Sequence, residues 1–301
     1  MPLTHVECCA AMNDGFDDVY ESRPQCFADN EPELPEVNGG ITLDDMKPIS
    51  AHTIIDTIGG VSRLIDQIQF HVAEKASRID SELALMLDVK GVNLNRGGTI
   101  SILQVRIHRS VDNFLVDIHR LGRQAFTTPG KLYPSETMTS ILTSFVLPKV
   151  FFDVRNAPGA LFNQFQILVG NVFDIQLMEV YTRRLPPYTG TLCFWECVGR
   201  DSGLDRDTRV GCRKMRDTGR SLFALNHGGR PQIFNERPLN AQVQNCIIQD
   251  LILMSALYDC YKKRLTISTG QMMEAEMMRK LKDVQLRRYP NGNRPFRNHG
   301  Y

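Results

Sequence analysis

The sequence predicts an α/β fold, a mixed sheet of five to six strands flanked by helices, and three observations carry that expectation. First, strand-like runs follow one another closely at Leu83–Val89, Thr99–Ile107 and Phe114–Ile118, joined by the turn-forming stretches Asn95–Gly98 (NRGG) and Arg109–Asn113 (RSVDN). Connections this short make antiparallel neighbours. Second, the chain then alternates: a helix from about Ser135, the strand KVFFDV (Lys149–Val154), a helix from Pro158 to Phe165, and the strand NVFDI (Asn171–Ile175). Such alternation calls for right-handed crossovers and a parallel portion of sheet. Third, a helix running from Ala241 to Lys263 has a broad apolar face of Val243, Ile247, Leu251, Met254 and Tyr258, suited to packing on a sheet.

Each element has a local reason. His52–Asp56 (HTIID) is β-branched and reads as a short strand. After Gly59-Gly60 the residues Val61, Leu64, Ile65, Ile68 and Val72 recur at helical spacing. Ser135 is the expected cap of a helix whose stripe is Met138, Ile141, Leu142 and Phe145. Tyr188–Asn240 has several glycines, weak periodicity and a basic cluster of Arg206, Arg209, Arg213, Lys214, Arg216 and Arg220, so a loop-rich insertion with short helices is expected at 188–240.

Composition bounds the rest. With 301 residues, 42% hydrophobic and 23% charged, the chain can bury a sizeable core. It offers neither an apolar run long enough to cross a bilayer nor a leader-like start, which points to an intracellular protein of the cytoplasm or nucleus with no membrane partner. The eight cysteines are scattered rather than framed as disulfides, consistent with a reducing compartment. The net charge of +1 hides opposed ends. Before Lys47, eleven carboxylates face one arginine, so 1–50 reads as an acidic disordered tail. From 269 to 301 the sign reverses and a basic tail is expected, leaving one domain over 51–268. The basic tail could contact phosphates or simply be solvated.

Chemistry is suggested by carboxylates in apolar settings. LALMLDVKGVNL (Leu83–Leu94) ends a buried strand with Asp88 and Lys90, two residues apart and so on one face. Asp250 interrupts the apolar face of the last helix, and Asp153 closes the strand KVFFDV. Buried carboxylates need a cation or hydrogen-bond donors. Singly each reads as an ordinary cap or ion-pair partner; together they suggest a cluster assembled from distant segments.

These phrases resemble a known family. LDVKGVNLNRGGTISILQ is similar to the first motif of the RNase D-like 3′–5′ exonuclease domains of the DEDD superfamily, which have a ribonuclease H-like fold. KVFFDVRNAPGALFNQFQI and NVFDIQLMEV resemble its next block, and GRSLFALNHGGRPQIFNERPL with NCIIQDLILMSALYDCY its last. The likeness covers roughly His52 to Leu265, and in wording it is nearest to fungal and Egalitarian-like members. In active members, the resemblance implies, four carboxylates hold two divalent metals and a tyrosine helps orient the attacking water. Carried over residue by residue, the set is incomplete. Asp88 and Asp250 match two carboxylates. Lys90 stands where a glutamate is expected, Ala157 (or Gly159) where an aspartate is expected, and Cys246 at the tyrosine position. Asp174 matches an aspartate that usually supports the site.

Lys90 is therefore expected to act as an internal counter-ion between Asp88 and Asp250; the open alternative is that it turns to solvent and one weak metal remains. Three functional readings follow. One is a pseudo-nuclease binding single-stranded nucleic acid, RNA ahead of DNA, through Lys90, Arg96, Arg155, Asn156, Arg213, Lys214, Arg216 and Arg220. Another is a scaffold for a protein partner in RNA handling. The third is an active enzyme using substitute ligands such as Asp153 or Glu179. No cofactor is expected, with Mg or Mn entering only if activity persists.

Overall fold

The structure, a computed structural model, describes residues 52–76, 83–94, 97–183 and 190–286. Its strands are β1 (Thr53–Ile55), β2 (Leu85–Val92), β3 (Thr99–Ile107), β4 (Asn113–Asp117), β5 (Lys149–Phe151) and β6 (Val172–Asp174). They form one sheet in the order β1-β4-β3-β2-β5-β6. Strands β2, β3 and β4 are the expected antiparallel meander, with Asp88 opposite Gln104 and Leu103 opposite Val116. Strand β5 joins β2 in parallel and β6 joins β5 in parallel, as the alternation demands. At the far edge β1 pairs in parallel with β4.

Helix α1 (Ile58–Ala76) follows β1, and two single turns, α2 (Ile118–Leu121) and α3 (Gln124–Thr127), follow β4. Helix α4 (Met138–Thr143) starts later than the sequence suggests. Its cap is Thr137 rather than Ser135: the Thr137 hydroxyl accepts from the Ser140 N–H at 3.1 Å, and Thr137 N donates to Ser140 Oγ at 2.8 Å. Helices α5 (Ala157–Phe165) and α6 (Ile175–Thr182) complete the crossover layer. Lys149, at the start of β5, is fully buried; its ammonium donates to the Ile141 and Ser144 carbonyls at the end of α4, and burial lowers its pKa to about 8.

Two expectations need correction. The 188–240 region is more regular than loop-rich: its described part, from 190, holds α7 (Phe194–Asp201) and the 18-residue α8 (Arg206–Phe223), followed by single-turn 3-10 segments. The buried positions of α8 are Thr208, Cys212 and Gly219, so no large apolar residues mark its period. The supposed basic tail from 269 begins as helix α10 (Ile267–Leu286), which buries Met273, Met277 and Leu281 at four-residue steps. The acidic 1–50 stretch and the arginines from Arg287 onward lie outside the described residues.

Helix α9 (Ala241–Lys262) is capped by Asn240, whose side chain accepts from the Gln242 and Val243 N–H groups. It is buried on most sides, packed against the sheet on one flank and α7 and α8 on others, which explains why it is apolar well beyond a single stripe. Asp174 holds the next part of the frame. It caps α6 through Gln176 N at 2.9 Å and also accepts from Asp153 N at 3.0 Å and Val154 N at 3.2 Å. The turn that leads into Asn156 and Ala157 is thus fastened to β6. Asp153 there adopts the left-handed conformation (φ 62°). Among the described residues, no helix is long and apolar enough to cross a membrane.

Candidate functional site

Strand β2 is central, and its pleat turns Leu87 and Val89 to one face and Asp88 and Lys90 to the other. A bulge follows at Lys90/Gly91. Only glycine fits there, since a Cβ on Gly91 would lie 2.0 Å from the Thr99 carbonyl oxygen. Asp250 reaches the same face from α9. The Lys90 ammonium lies 2.8 Å from Asp88 Oδ2 and 4.0 Å from Asp250 Oδ2. Their side chains are 21–25% exposed, well withdrawn from bulk water. Gln104, paired with Asp88 across the ladder, donates to Asp88 Oδ2 at 3.3 Å.

The electrostatics follow from that geometry. Burial pulls the Lys90 pKa down, but Asp88 and Asp250 more than reverse it, so the net shift is upward and the ammonium stays charged. Asp250 is less well compensated. Burial pushes its pKa up, Lys90 pulls it down and Asp88 pushes it up again, leaving it at about 6. Its Oδ1 is buried with no hydrogen-bond partner. Cys246 lies one helical turn before Asp250; burial raises its thiol to about 12, and its Sγ contacts the Arg216 carbonyl at 3.7 Å.

These groups line a cleft of about 240 Å³ between the end of β2, the start of α5, and helices α7, α8 and α9. Of the residues singled out from sequence, Asp88, Lys90, Asn156, Arg216, Arg220, Cys246 and Asp250 meet there. Others do not. Arg155 engages Asp153 with both Nε (2.7 Å) and Nη2 (2.6 Å) and is absent from the lining. Arg213 and Lys214 are exposed on α8 away from the cavity, and Arg96 lies outside the described residues. Ala157 is buried in the first turn of α5 and supplies no donor atom.

Sequence reasoning missed the aromatic part of the wall: Phe152, Phe194, Trp195, Phe223 and Phe234. The guanidinium of Arg216 sits 5.0 Å above the Trp195 ring. The pairing of Phe194 with the chain's only tryptophan, inside a stretch without readable periodicity, was the available signal.

The donor set does not fit the two-metal centre that the resemblance implies. Two carboxylates flank an ammonium, and Arg216 and Arg220 add further positive charge. Close dications require several anionic ligands around them. Among the described residues, no group of three or more His, Cys, Asp or Glu side chains is arranged to hold a metal ion. The substitutes considered from sequence are engaged elsewhere, Asp153 with Arg155 and Glu179 with Arg183.

The fold is that of the RNase D 3′–5′ exonucleases. Trypanosoma brucei RNase D in complex with RNA U12 superposes with a TM-score of 0.60 at 17% identity, covering 81% of this chain and 74% of that one; another crystal structure of T. brucei RNase D gives 0.58 at 17%, over 78% and 73%. In sequence, the chain is similar to the piRNA biogenesis protein EXD1. It is 30% identical to the mouse protein and 29% to the human one over 148 residues, or 48% of this chain. Those aligned residues span 23% and 26%, about a quarter, of the two curated relatives. No family model matches.

Proposed function

We propose that this chain is a nuclease-fold domain in RNA handling that grips single-stranded nucleic acid, RNA ahead of DNA, in the β2–α9 cleft without cutting it. The observation that carries the reading is the Lys90 ammonium, 2.8 Å from Asp88 and 4.0 Å from Asp250, standing where a metal-dependent site needs anionic ligands around a dication. The cleft pairs cations with aromatic rings, the two features that bind single strands: the guanidiniums of Arg216 and Arg220 for phosphates, ring faces for bases. The likeness to EXD1, a piRNA biogenesis protein, and to an RNase D seen with RNA supports RNA as the partner class.

The test is fluorescence anisotropy with a labelled 12-nucleotide RNA in EDTA. Binding at 50 mM salt, weakening toward 200 mM with a log–log slope of about −2 or steeper, is expected for three or more phosphate contacts on a single strand. Mg²⁺ in excess of the EDTA should weaken it as an added salt does and should not strengthen it. Failure to bind at 50 mM salt, or binding that appears only with Mg²⁺ or Mn²⁺, overturns the reading.

A further inference from the structure

Helix α8 carries Arg206, Arg209, Arg213, Arg216 and Arg220 at steps of three, four, three and four residues. At 100° per residue these five fall within an arc of about 80°, and over fourteen residues the row is about 21 Å long. Consecutive members are about 5–6 Å apart. The row flanks the buried edge of the helix (Thr208, Cys212, Gly219) rather than facing directly away from the protein. Its C-terminal members, Arg216 and Arg220, line the cleft, whereas Arg206 and Arg213 are exposed beyond it. Arg209 is anchored by a bond from Nη2 to the Leu204 carbonyl at 3.1 Å. Asp217 borders the row, 3.9 Å from Arg216, Asp205 caps the helix with its carboxylate on Thr208, and Asp207 lies farther round, so the five arginines outnumber the carboxylates beside them.

We infer that this arginine row is a phosphate track, leading a single strand along α8 into the cleft and extending the bound length beyond what 240 Å³ can hold. The inference rests on the nucleic-acid reading above. Arginines one helical turn apart offer repeated anion contacts on the scale of successive phosphates in an extended strand, whereas a compact anion would engage only one or two of them. A phosphate track also predicts that affinity grows with strand length, which a cleft-only site does not.

Helix α8 contains its own control. Lys214 is exposed like Arg213 but lies about 80° or more outside the arc. The experiment compares 3- and 12-nucleotide RNAs in EDTA for the natural chain, Arg206→Gln with Arg213→Gln, and Lys214→Gln. The double variant is expected to weaken the 12-mer about tenfold at 50 mM salt and to flatten its salt slope by about 1.4, two phosphates' worth. The 3-mer should stay within twofold, and Lys214→Gln should leave both lengths within twofold. Tight 12-mer binding indifferent to the double variant sinks the track while leaving the cleft reading intact. An equal loss from Lys214→Gln, or a polyglutamate peptide binding as tightly as the 12-mer, also overturns it. No binding of either length by the natural chain sinks the cleft reading and the track with it.

Discussion

Replacing Lys90 with alanine is expected to cost about 3–5 kcal/mol of folding stability at pH 7.5, because removing one partner of a buried ion group leaves the others uncompensated. Asp88 and Asp250 would then share the cleft without the ammonium that holds them at 2.8 and 4.0 Å. Lys90→Met separates charge from packing, since it keeps an apolar stem; a loss close to that of alanine assigns the effect to the charge. The deficit should shrink at pH 5. Asp250 already has a folded-state pKa of about 6, above its ordinary 3.8. Its contribution is therefore fully present below about pH 4 and lost as pH rises through 6. Without Lys90 the folded pKa climbs further, so acid relieves more of the variant's penalty. Urea unfolding at both pH values measures this. A loss below about 1 kcal/mol, or one that is equal at pH 5 and 7.5, contradicts the counter-ion role.

Gly219→Ala is the second large effect. A Cβ at residue 219 would lie 2.3 Å from Cys246 Cβ and 2.7 Å from its Sγ, closer than packed atoms can sit. Helix propensity favours alanine by about 1 kcal/mol, but overpacking a close helix crossing costs more, so a net loss of about 2 kcal/mol is expected. Because α8 must move to accept the methyl, Arg216 and Arg220 should leave the cleft wall and RNA affinity should fall as well. Adding Cys246→Ala keeps the nearer clash, that between the two Cβ atoms, and should rescue little. Adding Cys246→Gly removes it and should restore RNA binding, despite its own cost to α9. Unfolding and anisotropy on the single variant and the two double variants decide this. A Gly219→Ala chain as stable as the parent, with unchanged affinity, would show that α8 and α9 are not in close contact at this crossing.

What was legible in the sequence follows from where the signals lie. The meander and the parallel strands were readable because β2, β3 and β4 are short, mostly aliphatic segments bounded by turn residues and the crossover helices have stripes such as Met138, Ile141 and Leu142. Asp88, Lys90 and Asp250 stood out because charges inside apolar segments are costly. Helix α8 was hidden because it packs through Thr208, Cys212 and Gly219, small side chains that leave no hydrophobic period. Helix α10 is masked for a different reason: Met273, Met277 and Leu281 do form a stripe, but the surrounding charge has the composition of a solvated tail. Beyond the Phe194-Trp195 pair the aromatic wall leaves no sequence signal, since Phe152, Trp195, Phe223 and Phe234 come from four separate segments that only the packing of α7 and α8 brings together. Arg155 is drawn away from the cleft lining by Asp153, two residues away, which takes both ends of its guanidinium fork, a pairing that the sequence does not reveal.

The measurement that bears most directly on the central claim is digestion of a 5′-labelled single-stranded RNA, at saturating protein, in Mg²⁺ and then Mn²⁺, by the natural chain and by Asp88→Ala. With an ammonium between the two carboxylates and no third acidic ligand in the cleft lining, the RNA should remain full length with both proteins and both metals. Stepwise shortening from the 3′ end by the natural chain, abolished by Asp88→Ala, would show that the cleft still assembles a working metal centre and that Lys90 is not its internal counter-ion.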